Sequence, residues 1–153
     1  MPKKISRDNS HLYYHDIGLL IIRIGLGIVF FVSGLGKLVD ISPTITSFTG
    51  LFGMLGPLLA WTVALVELGG SISLILGLFP RIFALLLSIV MLVAIITVQY
   101  PNMITSISEG SSFFMAFRTI QVNILLLLGH IGIFFTGPGR YSLERYISPR
   151  WKM

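Results

Sequence analysis

Apolar residues fall in four nearly unbroken stretches, and the polar residues gather between them. The stretches run from Ile17 to Gly36, Leu58 to Leu78, Ile82 to about Tyr100 and about Thr119 to Thr136. Each is close to the ~20 residues that a helix needs to cross a bilayer core. The pattern predicts an all-α chain, an integral-membrane four-helix bundle. A polar tail (1–16) precedes the bundle domain (17–136), and a basic tail (137–153) follows it. Phe79-Pro80-Arg81 leaves so short a connection that spans two and three must be antiparallel neighbours. Pro101-Asn102 is expected to stop span three, and Gly137-Pro138-Gly139 to stop span four. Between spans one and two lies FTGLFGMLGP, with Phe48, Leu51, Phe52 and Leu55 at helical spacing. It is too short to cross and is broken by glycines and Pro57. It reads as a short interfacial or re-entrant helix, either a lid over a cavity in the bundle or a segment resting on the membrane.

Composition agrees with a membrane protein and narrows the chemistry. Hydrophobic residues make up 54% of the chain and charged residues 11%, and the mean hydropathy is +0.89, far from a soluble domain. The absence of cysteine excludes thiol redox chemistry, disulfides and cysteine-held metal centres in this chain. A redox role would need a quinone, another non-covalently held cofactor or a partner protein. The net charge of +5 does not point to nucleic acid, because the bases are divided among the ends of spans. With an even number of spans the termini share a side. That side carries Lys3, Lys4, Arg7, Arg81, Arg140, Arg145, Arg150 and Lys152, against Lys37 and Arg118 on the other. The positive-inside rule then puts both termini in the cytoplasm, with no signal peptide expected. Tyr141, Tyr146 and Trp151 suggest that the basic tail lies along the headgroups.

Polar residues at membrane depth carry the candidate chemistry. Glu67 sits in the middle of span two and Arg23 within span one. An isolated charge there costs at least ~3 kcal/mol. Counting rise from the span starts puts the two about 7 Å apart in depth, within an arginine's reach. They are expected to pair, either to fix helix register or to line a ligand pocket with Trp61, Gln121 and Asn123. The two amides can equally be interhelical glue. His130 has no second ligand at metal spacing on its helix and reads as a packing residue; no metal site is expected. Lys37, Gln99, Tyr100, Asn102 and Arg118 form an outward polar rim that could accept a small anion or a quinone head, or simply snorkel. Five glycines in span one mark a packed face, with Gly18, Gly25 and Gly36 at heptad-like or near-heptad spacing.

Three blocks in order, RIGLGIVFFVSGLGKL (Arg23 to Leu38), ELGGSISLILGLFPR (Glu67 to Arg81) and GPGRYSLE (Gly137 to Glu144), resemble the DoxX family of small bacterial membrane proteins. The resemblance covers about Ile17 to Glu144 and implies a four-helix bundle in the inner membrane. It also implies association with redox enzymes in some members, with a quinone-linked subunit among them, and it makes Arg23, Lys37, Glu67 and Arg81 the recurrent polar positions. Many members have histidine before the glycine of the first block, where this chain has Ser33.

Two readings of function follow. One is a quinone-interacting membrane subunit of an oxidoreductase system, which needs an open pocket reaching Glu67. The other is a noncatalytic anchor or assembly subunit that recruits a partner enzyme, which a closed bundle would suit. The lipid bilayer is a partner in both, and a homo-oligomer is compatible with either. Transport is a weaker third reading, since no inverted repeat with broken helices is visible.

Overall fold

The computed structural model describes residues 10–147, with side chains from residue 14. Lys3, Lys4, Arg7, Arg150, Trp151 and Lys152, invoked above for topology and the headgroup tail, lie outside the described residues. Seven α-helices occur among the described residues: α1 (Ser10–Val39), α2 (Ser42–Phe52), α3 (Gly56–Leu76), α4 (Pro80–Ala94), α5 (Tyr100–Ser108), α6 (Phe113–Thr136) and α7 (Leu143–Ile147). There are no strands among these residues. Four segments are long and apolar enough to cross a membrane: Tyr14–Val39, Ser42–Leu76, Pro80–Ser108 and Phe113–Thr136.

The bundle is stitched by close helix contacts. On α1, Arg23, Gly27, Phe30, Gly34 and Lys37 recur at alternating spacings of four and three, which is one helical face. On α3 the matching stripe is Ala60, Ala64, Glu67, Ser71 and Leu74, all buried. The glycines that permit the approach are Gly27, which faces Ser71 and Ile75, and Gly34, which lies on the backbone of Glu67 and Leu68. Gly18, Gly25 and Gly36 have no neighbour within 4 Å of a Cβ position. The packed face is therefore made by two of the five expected glycines, Gly27 and Gly34, and not by the three at heptad-like or near-heptad spacing, because the interface follows the alternating four-three stripe. Gly70 seats Leu87 of α4, and Gly129 of α6 seats Leu26 of α1. Phe30, Leu74, Ala84, Leu87, Met91 and Ile133 fill the centre. His130 is fully buried in edge-on contact with Phe30, ring centroids 4.8 Å apart, and its Nδ1 lies 2.6 Å from the Leu126 carbonyl. A packing role fits this placement.

One connection differs from expectation for an identifiable reason. Pro101 does not stop the third span. Its missing N–H and its ring are accommodated by a single wide turn over Ile95–Gln99, where the Tyr100 N–H reaches back to Ile95, and the helix then continues to Ser108. The stretch after Val39 forms α2, which packs on α3. Gly53, at φ 56°, reverses the chain, and Gly56 lies against the backbone of Thr49. No residue of α2 is fully buried, so it covers the bundle as an outer layer.

Candidate functional site

The two intramembrane charges occupy different places. The α1–α3 register sets Glu67 opposite Ser33 and Gly34. The ten residues from Arg23 to Ser33 are about 15 Å of helix, so the expected Arg23–Glu67 pair does not form. The expectation took the apolar runs to start level with each other, whereas the small-residue seam slides α3 by more than a turn relative to that estimate.

Arg23, only 1% exposed, is held by backbone carbonyls. α3 ends in a left-handed turn at Gly77 (φ 73°), where the N–H groups of Gly77 and Leu78 both donate to Ser73 O. That leaves the Leu74 carbonyl without its helical donor, and Arg23 Nε donates to it at 3.1 Å. Arg23 Nη1 donates to Pro138 O and, at 3.4 Å, to Tyr141 O. A cation at a helix C-terminus is favoured by the exposed carbonyls. The arrangement ties α1, the end of α3 and the segment after α6 together. The segment is anchored from the other side as well, since the Glu144 N–H donates to Gly77 O and Ser142 is buried. The first half of the basic tail therefore packs beneath the bundle, although Tyr146 stays exposed.

Glu67, 2% exposed, meets a different set of groups. Its Oε2 accepts from Ser33 Oγ at 2.9 Å and from Lys37 Nζ, and Lys37 Nζ also lies 2.8 Å from Ser33 Oγ. Lys37–Glu67 is the one salt bridge among the described residues. The carboxylate side chain is 3% exposed and that of the lysine 25%, so the pair lies at the edge of the packed interior. Ser33 and Lys37 are four apart on α1 and reach the same carboxylate because successive turns stack side chains.

These groups line a cavity of about 290 Å³ with Val29, Phe30, Phe48, Val63, Met91, Ala94, Gln99, Asn123 and Leu126. Gln99 comes from the wide turn before Pro101, a kind of irregularity often found at functional sites. Asn123 comes from α6. A second, almost wholly apolar cavity, also of about 290 Å³, adjoins it between α2, α3 and α4, lined by residues that include Phe52, Leu59, Ile89 and Val93. Phe48, Val63 and Ala94 border both, so Phe48 of α2 stands on the partition.

Of the pocket residues expected from sequence, Glu67 and Asn123 line the cavity while Arg23, Trp61 and Gln121 do not. Trp61, 44% exposed, and Gln121 face outward. Of the rim residues, Lys37 and Gln99 turn into the cavity. Tyr100, Asn102 and Arg118 are exposed, and Arg118 Nη1 rests 3.9 Å from Met115 Sδ. Sequence reasoning missed Ser33 and Phe48 as lining residues and gave Lys37 a place on the rim without its contact to Glu67. The signal was the α1 stripe, which runs from Arg23 through Gly34 to Lys37.

The DoxX family profile matches residues 18–100, which hold most of α1, all of α2, α3 and α4, and every residue of the Glu67 cavity except Asn123 and Leu126. The chain belongs to the DoxX family. Among the similar proteins, a Bacillus subtilis protein named "Putative oxidoreductase CatD" is 33% identical over 132 residues, 86% of this chain and 88% of its own length. The Escherichia coli "Inner membrane protein YqjF" is 31% identical over 140 residues, 89% of this chain and 96% of its own. The Escherichia coli "Inner membrane protein YphA" is 31% identical over 142 residues, 88% and 97% respectively. No solved structure matches the chain.

Proposed function

We propose that this DoxX-family protein is a quinone-interacting membrane subunit of an oxidoreductase system. It lies in the inner membrane with both termini in the cytoplasm. The observation that carries the reading is the pairing of two adjoining spaces, one with a cluster of polar groups in a largely apolar wall and the other almost wholly apolar. A quinone has a ring with two carbonyl acceptors and an apolar tail. Lys37 and the amides of Gln99 and Asn123 are donors that could bind the carbonyls, and Glu67 holds Lys37 in place. The apolar space beyond Phe48 suits the tail, and α2 forms its outer wall. A closed bundle would have favoured the anchor reading, whereas here the cavity reaches Glu67.

Reduction of a quinone to the quinol takes up two electrons and two protons. With no cysteine in the chain, the electrons come from a partner enzyme or a cofactor that the partner holds. The partly exposed Lys37–Glu67 pair stands where protons can be exchanged between solvent and the ring. The name of the Bacillus subtilis relative is in keeping with a redox partner. The names of the two Escherichia coli relatives, and the excess of bases on the side of the termini, support the location and orientation.

The test is to purify the protein from its native membrane and identify co-purifying quinone and polypeptides, then repeat with Glu67→Gln. Retained quinone that the variant loses at an unchanged protein level is the expected result. Retention of a partner enzyme with no quinone in either protein would favour the anchor reading. Equal loss of protein level and of quinone would assign Glu67 a structural role.

A further inference from the structure

A second polar site lies at the opposite end of the bundle, where α1 enters, α4 begins and α6 stops. Arg81, Arg140, Arg145 and His15 surround a pocket of about 140 Å³ with Asp16 and Leu19. Among the described residues, none of the three arginines makes an ion pair or a side-chain hydrogen bond. Asp16 Oδ1 accepts the backbone N–H of Arg140 at 3.0 Å, so the carboxylate serves to place Arg140 and does not neutralise a guanidinium. Arg81 is in the first turn of α4, where the positive end of the helix adds to its charge. It packs over Gly137, whose left-handed backbone (φ 84°) and missing side chain leave room for the guanidinium.

We propose that this pocket seats the phosphate of an anionic phospholipid. Guanidinium groups bind phosphate through paired N–H donors, and basic pockets between membrane helices are suited to acidic headgroups. The lipid source is chosen over a soluble anion by the surroundings. The lining residues Arg81 and Thr136 are followed and preceded in the chain by Ile82 and Phe135, large apolar side chains 58% and 74% exposed on membrane-spanning helices, so a phosphate held by the arginines lies at the end of helices whose apolar surface can take an acyl chain. The site shares no residue with the Glu67 cavity.

The experiment is native mass spectrometry of the purified full-length chain in neutral detergent, with phosphatidylglycerol and phosphatidylcholine supplied in equal amounts. Phosphatidylglycerol should be retained over phosphatidylcholine by about tenfold or more. Each of Arg81→Gln, Arg140→Gln and Arg145→Gln should weaken its retention about fivefold. Arg118→Gln, which removes an exposed base at the other end, should leave it unchanged. Millimolar inorganic phosphate should not displace the lipid. Equal retention of the two lipids, displacement by phosphate, or an effect of Arg118→Gln as large as that of Arg140→Gln would each overturn the proposal. Arg145 is exposed on the short α7, so its variant keeps the test decisive if changes at Arg81 or Arg140 reduce folding.

Discussion

Arg23 and Glu67 are both buried charges on the facing stripes of α1 and α3, yet their surroundings differ in kind. Arg23 is surrounded by main chain: the Leu74, Pro138 and Tyr141 carbonyls accept from it. Those carbonyls come from a helix end and the segment that folds beneath it, so the guanidinium completes backbone groups that have no donor in their own element. Glu67 is met by the side-chain donors of Ser33 and Lys37, and a cavity opens beside it. A buried charge satisfied by main chain holds a fold together. One satisfied by a partly exposed partner at a cavity wall can take part in binding.

The contrast can be broken most severely at Arg23. Arg23→Met leaves the three carbonyls without their charged donor, and hydrogen bonds to charged groups are worth about 1.5–3 kcal/mol each. Loss of most folded protein in the membrane is expected, measured by expression and by thermal unfolding in detergent. Lys37→Met should rank next, because it strands a buried carboxylate. Breaking a buried pair costs about 3–5 kcal/mol, and the partial exposure of Lys37 places this case at the lower end. Glu67→Gln should cost less than Lys37→Met, since the lysine left behind can turn to solvent. The reverse order in unfolding measurements would argue against a cavity open at Lys37.

Smaller effects sharpen the picture of the seam. A Cβ on Gly34 would lie 2.7 Å from the Leu68 backbone nitrogen, so Gly34→Ala must push the two helices apart, at about 1–3 kcal/mol. Gly25→Ala and Gly36→Ala meet no neighbour and should be neutral or slightly stabilising through helix propensity. For Pro101→Ala the effect sought is on the cavity and not on stability. The substitution restores an N–H to the third span and removes the reason for the wide turn, so Gln99 should rotate out of the cavity. Weaker quinone retention at unchanged or higher melting temperature is the outcome to look for.

The four spans, the tight Phe79-Pro80 turn and the family were legible in the sequence because apolar run length and glycine-rich blocks are local signals. The partner of Glu67 was not, because it depends on how far one helix slides along another, and no single run reveals that. Gly27 and Gly34 held part of the answer: small residues seven apart on the stripe that also carries Arg23 and Lys37 define the contact face, whereas Gly18, Gly25 and Gly36 lie off the seam. The role of Arg23 was hidden for a related reason. Its acceptors are backbone carbonyls freed by the left-handed turn at Gly77 and by the fold of residues 137–142, and main-chain acceptors leave no mark in composition. Trp61 and Gln121 were drawn into the expected pocket by residue type, but the helices turn both outward. Pro101 was read as a terminator, although a wide turn lets the helix pass it and brings Gln99 to the cavity.

The most direct measurement is a pair of double-mutant cycles on thermal unfolding, one joining Lys37→Met with Glu67→Gln and the other joining Arg23→Lys with Glu67→Gln. Coupling of about 1 kcal/mol or more is expected in the first cycle, and additivity within about 0.5 kcal/mol in the second, as for sites that share no partner. Coupling between Arg23 and Glu67, with none between Lys37 and Glu67, would contradict the division of the bundle into a structural clamp and a ligand cavity.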